Sequence, residues 1–364
     1  MKQRRILFVT GTRAEFGLME RTLQRLRDDR RIDLRLVVTG MHLSREHGRS
    51  VDAIRRQGWT IDATVPWRDE PAAATGRAIA GLTAVQRQLN PDVVLVVGDR
   101  VEAFAAATAA HLDGRVSAHV HGGDRALGQV DDALRHAISK LSHVHFAATK
   151  ASGRRLVRMG EDAWRVHVVG TPGLDAVGAT PGASGPPYAV VILHPDDADD
   201  ARQAMQARRL AGALRRGKVD RGVIVYPNND PGWRGIADVW AGFNKNGWTV
   251  HRDLPREAFL ELLGGAGLLI GNSSSGIIEA ASLGTRVINI GPRQLGRERS
   301  ANVIDVGWDA NELTREIATA WNGGRPRAFT GRNVYGTGDA GGRITDVLAT
   351  LPLDARLRRK LIAY

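Results

Sequence analysis

Alternating strand and helix signals along 364 residues predict an α/β protein with two parallel sheets, each carrying helices on both faces. Three observations carry the prediction. Short apolar runs such as Val93 to Val97 have the length and β-branched content of strands buried on both sides, and Val116 to Val120 has the same length. Most of these runs stop at Gly or at polar residues, as strands do where they feed loops at the carboxyl edge of an open sheet. The rhythm breaks once, in a Gly-, Pro- and Ala-rich stretch from Thr171 to Pro187, and then restarts, as a linker would make it do.

The elements follow in order. Arg4-Arg5 leads straight into a strand at Ile6 to Thr10, which turns at Gly11. Further strands are predicted at Leu34 to Thr39, Thr60 to Val65, Val93 to Val97 (ending at Gly98), Val116 to Val120 (ending at His121-Gly122-Gly123), Val144 to Ala147 and His167 to Val169. After the linker come Ala189 to Leu193 (ending at His194-Pro195), Val223 to Tyr226 (ending at Pro227-Asn228) and Trp248 to Arg252. Leu268 to Ile270 then leads into Gly271-Asn272-Ser273-Ser274-Ser275-Gly276, with a helix beginning near Ile277, and Val287 to Ile290 leads into Gly291-Pro292-Arg293. Such a length exceeds one core and divides naturally into two domains of roughly 150 to 200 residues. We place them at 1–172 and 173–343, with a C-terminal helix within 344–364 expected to pack back on the first domain.

Composition removes several classes of function. Hydrophobic residues make up 43% of the chain, ample for two cores, yet no apolar run approaches the ~20 residues that span a bilayer. The expectation is a soluble, cytoplasmic protein without a signal peptide or membrane partner. Zero cysteines exclude disulfides, thiolate metal sites and a cysteine nucleophile. The net charge of +12 invites a nucleic-acid reading, but the charge is scattered and only six of the 51 basic residues are lysines. Aromatic residues at 5% leave no stacking platform, so no nucleic-acid partner is expected.

Chemistry concentrates at strand ends. Asp99 and Arg100 follow the Val93 to Val97 run, His121 and Asp124 follow Val116 to Val120, and Asp131 lies seven residues beyond Asp124. Asp also caps helices, and either Asp99 or Asp124 alone would serve as a cap. Two strand-end carboxylates with Arg100, His121 and Asp131 nearby argue instead for acid/base work on an anionic substrate. In the second half the loop Gly271 to Gly276 combines backbone freedom with Asn272 and the hydroxyls of Ser273 and Ser274, the makings of a phosphate site or of an ordinary Ser cap. Arg13 and Arg293 also follow predicted strands at Gly-containing turns and favour the phosphate reading; Arg299 is weaker.

Gly11-Thr12-Arg13-Ala14-Glu15-Phe16-Gly17, Gly98-Asp99-Arg100, His121-Gly122-Gly123, Arg135-His136-Ala137-Ile138-Ser139-Lys140-Leu141-Ser142-His143, Gly271 to Gly276 with Glu279, and Ile288 to Arg297 together resemble the hydrolysing UDP-N-acetylglucosamine 2-epimerases in order and spacing from Arg5 to about Val306. The resemblance implies a glycosyltransferase-B-like fold, two Rossmann-like domains facing across a cleft, with UDP bound mainly by the second. It implies removal of UDP from the sugar's anomeric carbon with inversion at C2 through a glycal, giving N-acetylmannosamine or a related 2-epimer. It further implies a UDP-sugar partner, no cofactor, no catalytic metal, and assembly as a homodimer or homotetramer. Carried over residue by residue, Asp99 and Asp131 match the family's acidic positions and His194 a histidine near the diphosphate. Arg13, Arg100, Ser273, Ser274 and Arg293 would hold the diphosphate, and Asn228 and Glu279 the nucleoside. At one place the chain departs from the family: Asp124 stands where Glu is usual after His-Gly-Gly. The shortening withdraws the carboxylate by roughly 1 Å, a displacement that can cost about a hundredfold in rate. Hydrolysis without epimerisation, a different UDP- or GDP-linked acetamido sugar, or a protein that binds a sugar nucleotide without turning it over are therefore alternatives.

Overall fold

The computed structural model describes residues 3–45, 49–68, 70–125, 130–177, 185–228, 230–243, 247–252 and 254–361. The chain forms two compact units, 1–176 with 335–364, and 177–334. The chain returns to the first unit at 335 rather than at the expected 344, so the helix Ala340–Thr350 belongs to the first unit.

In the first unit β1 (Arg4–Thr10), β2 (Ile32–Val38), β3 (Ala63–Thr64), β4 (Val93–Val97), β5 (Val116–Val120), β6 (Val144–Ala147) and β7 (Val166–Val168) form one seven-stranded sheet in the order β3-β2-β1-β4-β5-β6-β7. Every pairing is parallel. Side chains alternate between two cores, as the two-residue period of a strand requires. Ile6, Phe8, Leu95 and Val97 pack on one face with Met19, Leu23 and Leu26 of the helix Arg13–Asp28 and with Ile344 and Leu348 of the C-terminal return. Leu7, Val9, Val94 and Val96 pack on the other against the alanines of the helix Val101–Leu112.

The second unit repeats the plan. β8 (Ala189–Ile192), β9 (Gly222–Val225), β10 (Trp248–His251), β11 (Leu268–Gly271), β12 (Arg286–Ile290) and β13 (Val303–Val306) form a six-stranded parallel sheet in the order β10-β9-β8-β11-β12-β13. Each sheet has one place where connections diverge to opposite sides: between β1 and β4 in the first, between β8 and β11 in the second. Ligands of open α/β sheets bind outside the carboxyl ends of the strands at such a switch point.

Three elements differ from expectation. The predicted strand at 60–65 pairs only over Ala63–Thr64, because the Asp62 carboxylate itself accepts the Leu36 N–H at 2.8 Å and interrupts the ladder. β13 lacks a clear sequence signal, being a four-residue edge strand with Asp305 in it. The helix expected near Ile277 begins at Ser274 and ends at Ile278, a little over one turn. Among the described residues no helix is long and apolar enough to cross a membrane.

Candidate active site

β4 and β5 deliver the acidic cluster of the first unit. Gly98 closes β4 in the left-handed region (φ 79°), a conformation that costs glycine nothing, and its N–H donates to the Val120 carbonyl at 3.0 Å. Asp99 follows. The helix after it is capped by Arg100 without any side-chain cap, so Asp99 does not act as an N-cap. Its carboxylate instead forms an ion pair with Arg135, a buried residue of the helix Val130–Leu141. Arg135 also reaches the His121 carbonyl at 3.4 Å, tying the ends of β4 and β5 together. Arg100 turns toward Glu102 (Nε to Oε2, 3.2 Å).

His121 takes up a left-handed backbone (φ 66°), a strained choice for a residue with a Cβ. Both ring nitrogens are engaged, Nδ1 with Asp124 Oδ2 at 2.7 Å and Nε2 with the Thr171 hydroxyl at 3.0 Å. The other Asp124 oxygen accepts the Ser152 hydroxyl at 2.7 Å. Burial alone would raise the Asp124 pKa, but the His121 imidazole, Arg135 and the Ser152 hydrogen bond outweigh it and bring it down to about 2. Asp124, too, is no helix cap: it is a carboxylate locked into its own unit. Asp131 lies in the first turn of Val130–Leu141, and its side chain is outside the described part of the structure.

Arg13 opens the helix Arg13–Asp28 at the carboxyl end of β1, beside β4, with an exposed side chain. A capping box precedes it: Thr12 accepts from the Glu15 N–H, while Glu15 Oε2 accepts the Gly11 and Thr12 N–H groups at 2.8 and 3.0 Å. Burial first and the neighbouring Glu102 second push Glu15 up to about 7.

In the second unit the expected residues gather at the β8/β11 switch point. Asn272, buried at the end of β11, donates from Nδ2 to the His194 carbonyl at 2.8 Å and accepts the His194 N–H at 2.7 Å. Its amide is therefore spent on placing His194. The Asn228 N–H donates to His194 Nδ1 at 3.1 Å, which leaves the proton of the neutral ring on Nε2. Burial, reinforced by Arg293, lowers the His194 pKa to about 4, so the ring stays neutral near pH 7. Arg293 and Asn228 share a partner in Asp230, at 3.4 and 2.6 Å from its Oδ2. Ser273 caps the helix Ser274–Ile278 and its hydroxyl lies 2.7 Å from that of Ser275; Ser274 is the first helical residue. Gly271 is obligatory, since a Cβ on its φ 141° backbone would strike the Ile192 carbonyl. Glu279 is buried apart from the His194 group and pairs with Arg256 at 3.1 Å; burial raises its pKa.

Sequence reasoning assigns no role to Arg135, Ser152, Thr171 or Asp230, all of which hold site residues. Arg135 and its motif neighbours were visible as a motif; the others carry no signal, because their partners are distant in sequence or ordinary in type. Among the described residues no group of three or more His, Asp or Glu is placed to hold a metal ion.

The model of the family described as UDP-N-acetylglucosamine 2-epimerase matches residues 24–349. The chain is 38% identical over 386 residues to the UDP-N,N'-diacetylbacillosamine 2-epimerase (hydrolyzing) of Legionella pneumophila, covering 99% of this chain and 100% of that protein. It is 31% identical over 350 residues to the UDP-N-acetylglucosamine 2-epimerase of Neisseria meningitidis serogroup B, covering 92% of each. The crystal structure of UDP-GlcNAc 2-epimerase from Neisseria meningitidis bound to UDP-GlcNAc superimposes with a TM-score of 0.78 at 20% identity, covering 94% of this chain and 99% of that one. At that identity the likeness is one of fold, the glycosyltransferase-B-like α/β arrangement.

Proposed function

This chain belongs to the UDP-N-acetylglucosamine 2-epimerase family, and on that premise we propose that it is a hydrolysing 2-epimerase of a UDP-linked 2-acetamido sugar. UDP-N,N'-diacetylbacillosamine is the first substrate to consider and UDP-N-acetylglucosamine, giving N-acetylmannosamine, the second. The observation that carries the order is end-to-end similarity at 38% identity to a hydrolysing enzyme of the former class.

The chemistry asks for a base at C2, donors on the diphosphate, and an acid with a water for rehydration. Asp99 and Asp131 are the proposed acid/base pair, with Asp124 contributing through its bond to His121. One carboxylate takes the C2 proton while the C1–O bond to the β-phosphate breaks and UDP leaves with the bonding electrons. Water then adds at C1 of the glycal, and C2 receives a proton on the opposite face. Arg13 and Arg100 are the cationic groups assigned to the substrate within the first unit. Within the second unit Arg293, Ser273, Ser274 and the Nε2–H of His194 are assigned to the diphosphate, Arg being suited to bidentate contact. Asn228 and Glu279 are assigned to the nucleoside, and Asn272 to holding His194.

The engagement of both Asp124 oxygens within the first unit favours a second reading, hydrolysis that leaves C2 unchanged. Incubating purified protein with each UDP-sugar and separating the products by anion exchange and sugar chromatography tests both. UDP with the free 2-epimer is expected from at least one substrate. UDP with the unepimerised sugar supports the second reading, and no UDP from either sugar at micromolar enzyme defeats both.

A further inference from the structure

We propose that His119, acting with Ser139, is the positioning residue for Asp99, fixing the turn that carries this carboxylate to the helix that carries its arginine partner. The proposal rests on the reading of Asp99 as an acid/base group. His119 is fully buried in β5, and its ring bridges two elements. Nε2 lies 2.7 Å from the Gly98 carbonyl and Nδ1 lies 3.0 Å from Ser139 Oγ. A carbonyl can only accept, so the ring proton sits on Nε2 and Nδ1 is an acceptor for the Ser139 hydroxyl, whose one proton is shared between this nitrogen and the Arg135 carbonyl at 3.1 Å. Gly98, one residue before Asp99, is thereby tied to β5 at both main-chain groups, its N–H to the Val120 carbonyl and its C=O to His119.

Ser139 completes the connection. It lies four residues after Arg135, on the same face of Val130–Leu141, and Arg135 forms the ion pair with Asp99. The helix therefore grips the Gly98-Asp99 turn twice, once through the guanidinium and once through Ser139 and His119. Gly122 fits closely over this bridge: a Cβ there would lie 3.0 Å from both His119 Nδ1 and Ser139 Oγ. At the far end of the helix Lys360 donates to the Ser139 and Lys140 carbonyls, each at 2.8 Å, and fixes the turn in which Ser139 sits. A histidine buried only for packing needs its nitrogens satisfied by any convenient partner. Here both are spent on the backbone of the Asp99 turn and on the helix that holds Asp99, and burial keeps the ring neutral by lowering its pKa to about 3, so the bridge is unchanged across the working pH range.

The test compares D99N, H119L, H119Q and S139A, with UDP release measured on whichever of the two UDP-sugars the wild type turns over faster. H119L removes the donor to Gly98 and is expected to lower kcat by about a hundredfold, the scale of a carboxylate displaced by about 1 Å, with KM within about threefold. H119Q keeps an N–H donor for the Gly98 carbonyl and is expected to recover kcat to within about fivefold of wild type. S139A, the variant least able to disturb folding, is expected to lower kcat about tenfold and to cost nothing further in the D99N background. UDP affinity by calorimetry is expected to stay within about twofold in all four. Wild-type kcat in S139A and H119L, or losses in kcat matched by equal losses in UDP affinity, would overturn the positioning role while leaving Asp99 its chemistry. Wild-type turnover in D99N, or no turnover by the wild type on either sugar, overturns the reading beneath the proposal and the proposal with it.

Discussion

At position 124 a short carboxylate is held by His121 and Ser152 at 2.7 Å each, and this pair of contacts decides what the residue can do. A carboxylate so engaged orients a histidine more readily than it approaches a sugar. D124N keeps the shape and removes the charge, and charge-assisted hydrogen bonds contribute about 1.5 to 3 kcal/mol each. The variant is expected to melt several degrees lower and to lose at least about tenfold in kcat; a thermal melt with a parallel UDP-release assay checks both. At this scale the sequence is a partial guide. Asp99 is legible because an unbroken apolar run ends at a glycine just before it. Its ion pair is not, since Arg135 lies 36 residues away and only the fold brings them together. Asn272 reads as a ligand-binding residue, yet its amide is committed to the His194 backbone, a use that residue type alone does not disclose.

Among the elements, the C-terminal strap has the clearest energetics. Arg165, 1% exposed, donates to the carbonyls of Leu357, Arg356 and Arg359 at 2.8 to 3.0 Å and to that of His143 at 3.2 Å. Lys360 reaches Glu161, a fully buried carboxylate that also meets His145 and Lys140 at 2.8 and 3.0 Å. Removing the guanidinium takes the donor from the buried His143 and Leu357 carbonyls and from the part-buried Arg356 and Arg359 carbonyls, so R165L is expected to destabilise the fold by about 3 kcal/mol in urea unfolding. A loss below about 0.5 kcal/mol would mean that the strap is held by its apolar contacts alone. β4, a continuous apolar run, has the bounds the sequence predicts, and so does β5, although Ser117 and His119 interrupt its apolar residues. Edge strands do not: β3 is cut short by the Asp62 carboxylate, and β13 is too short and too polar to stand out from a loop.

For the molecule as a whole, the shared plan of the two sheets explains why the expected residues cluster, because each sheet turns its chain order at one place and the polar residues follow those strands. Buried titratable groups then set its response to pH. Burial lowers His42, His143 and His194 to about 4 and His119 to about 3, against 6.5 in the unfolded chain. Between pH 6.5 and about 4 the unfolded state binds the extra protons, so stability is full above this window and falls as pH drops through it, by about 1.4 kcal/mol per pH unit for each histidine. Glu15 acts in the opposite sense: raised to about 7 from 4.5, it favours the fold at low pH and loses that contribution as pH rises through 7. Four histidines oppose Glu15 and Glu279, and the protein is expected to melt at a higher temperature at pH 7 than at pH 5; the reverse order would mean that these histidines are protonated in the fold.

In the proposed reaction UDP leaves by elimination and water returns to the glycal with inversion at C2. Proton NMR in deuterated water, with UDP-N,N'-diacetylbacillosamine and then UDP-N-acetylglucosamine, follows UDP release and the anomeric signals of the freed sugar together. A 2-epimer carrying deuterium at C2 is the expected product. Release of UDP with an unepimerised sugar that retains hydrogen at C2 would contradict it.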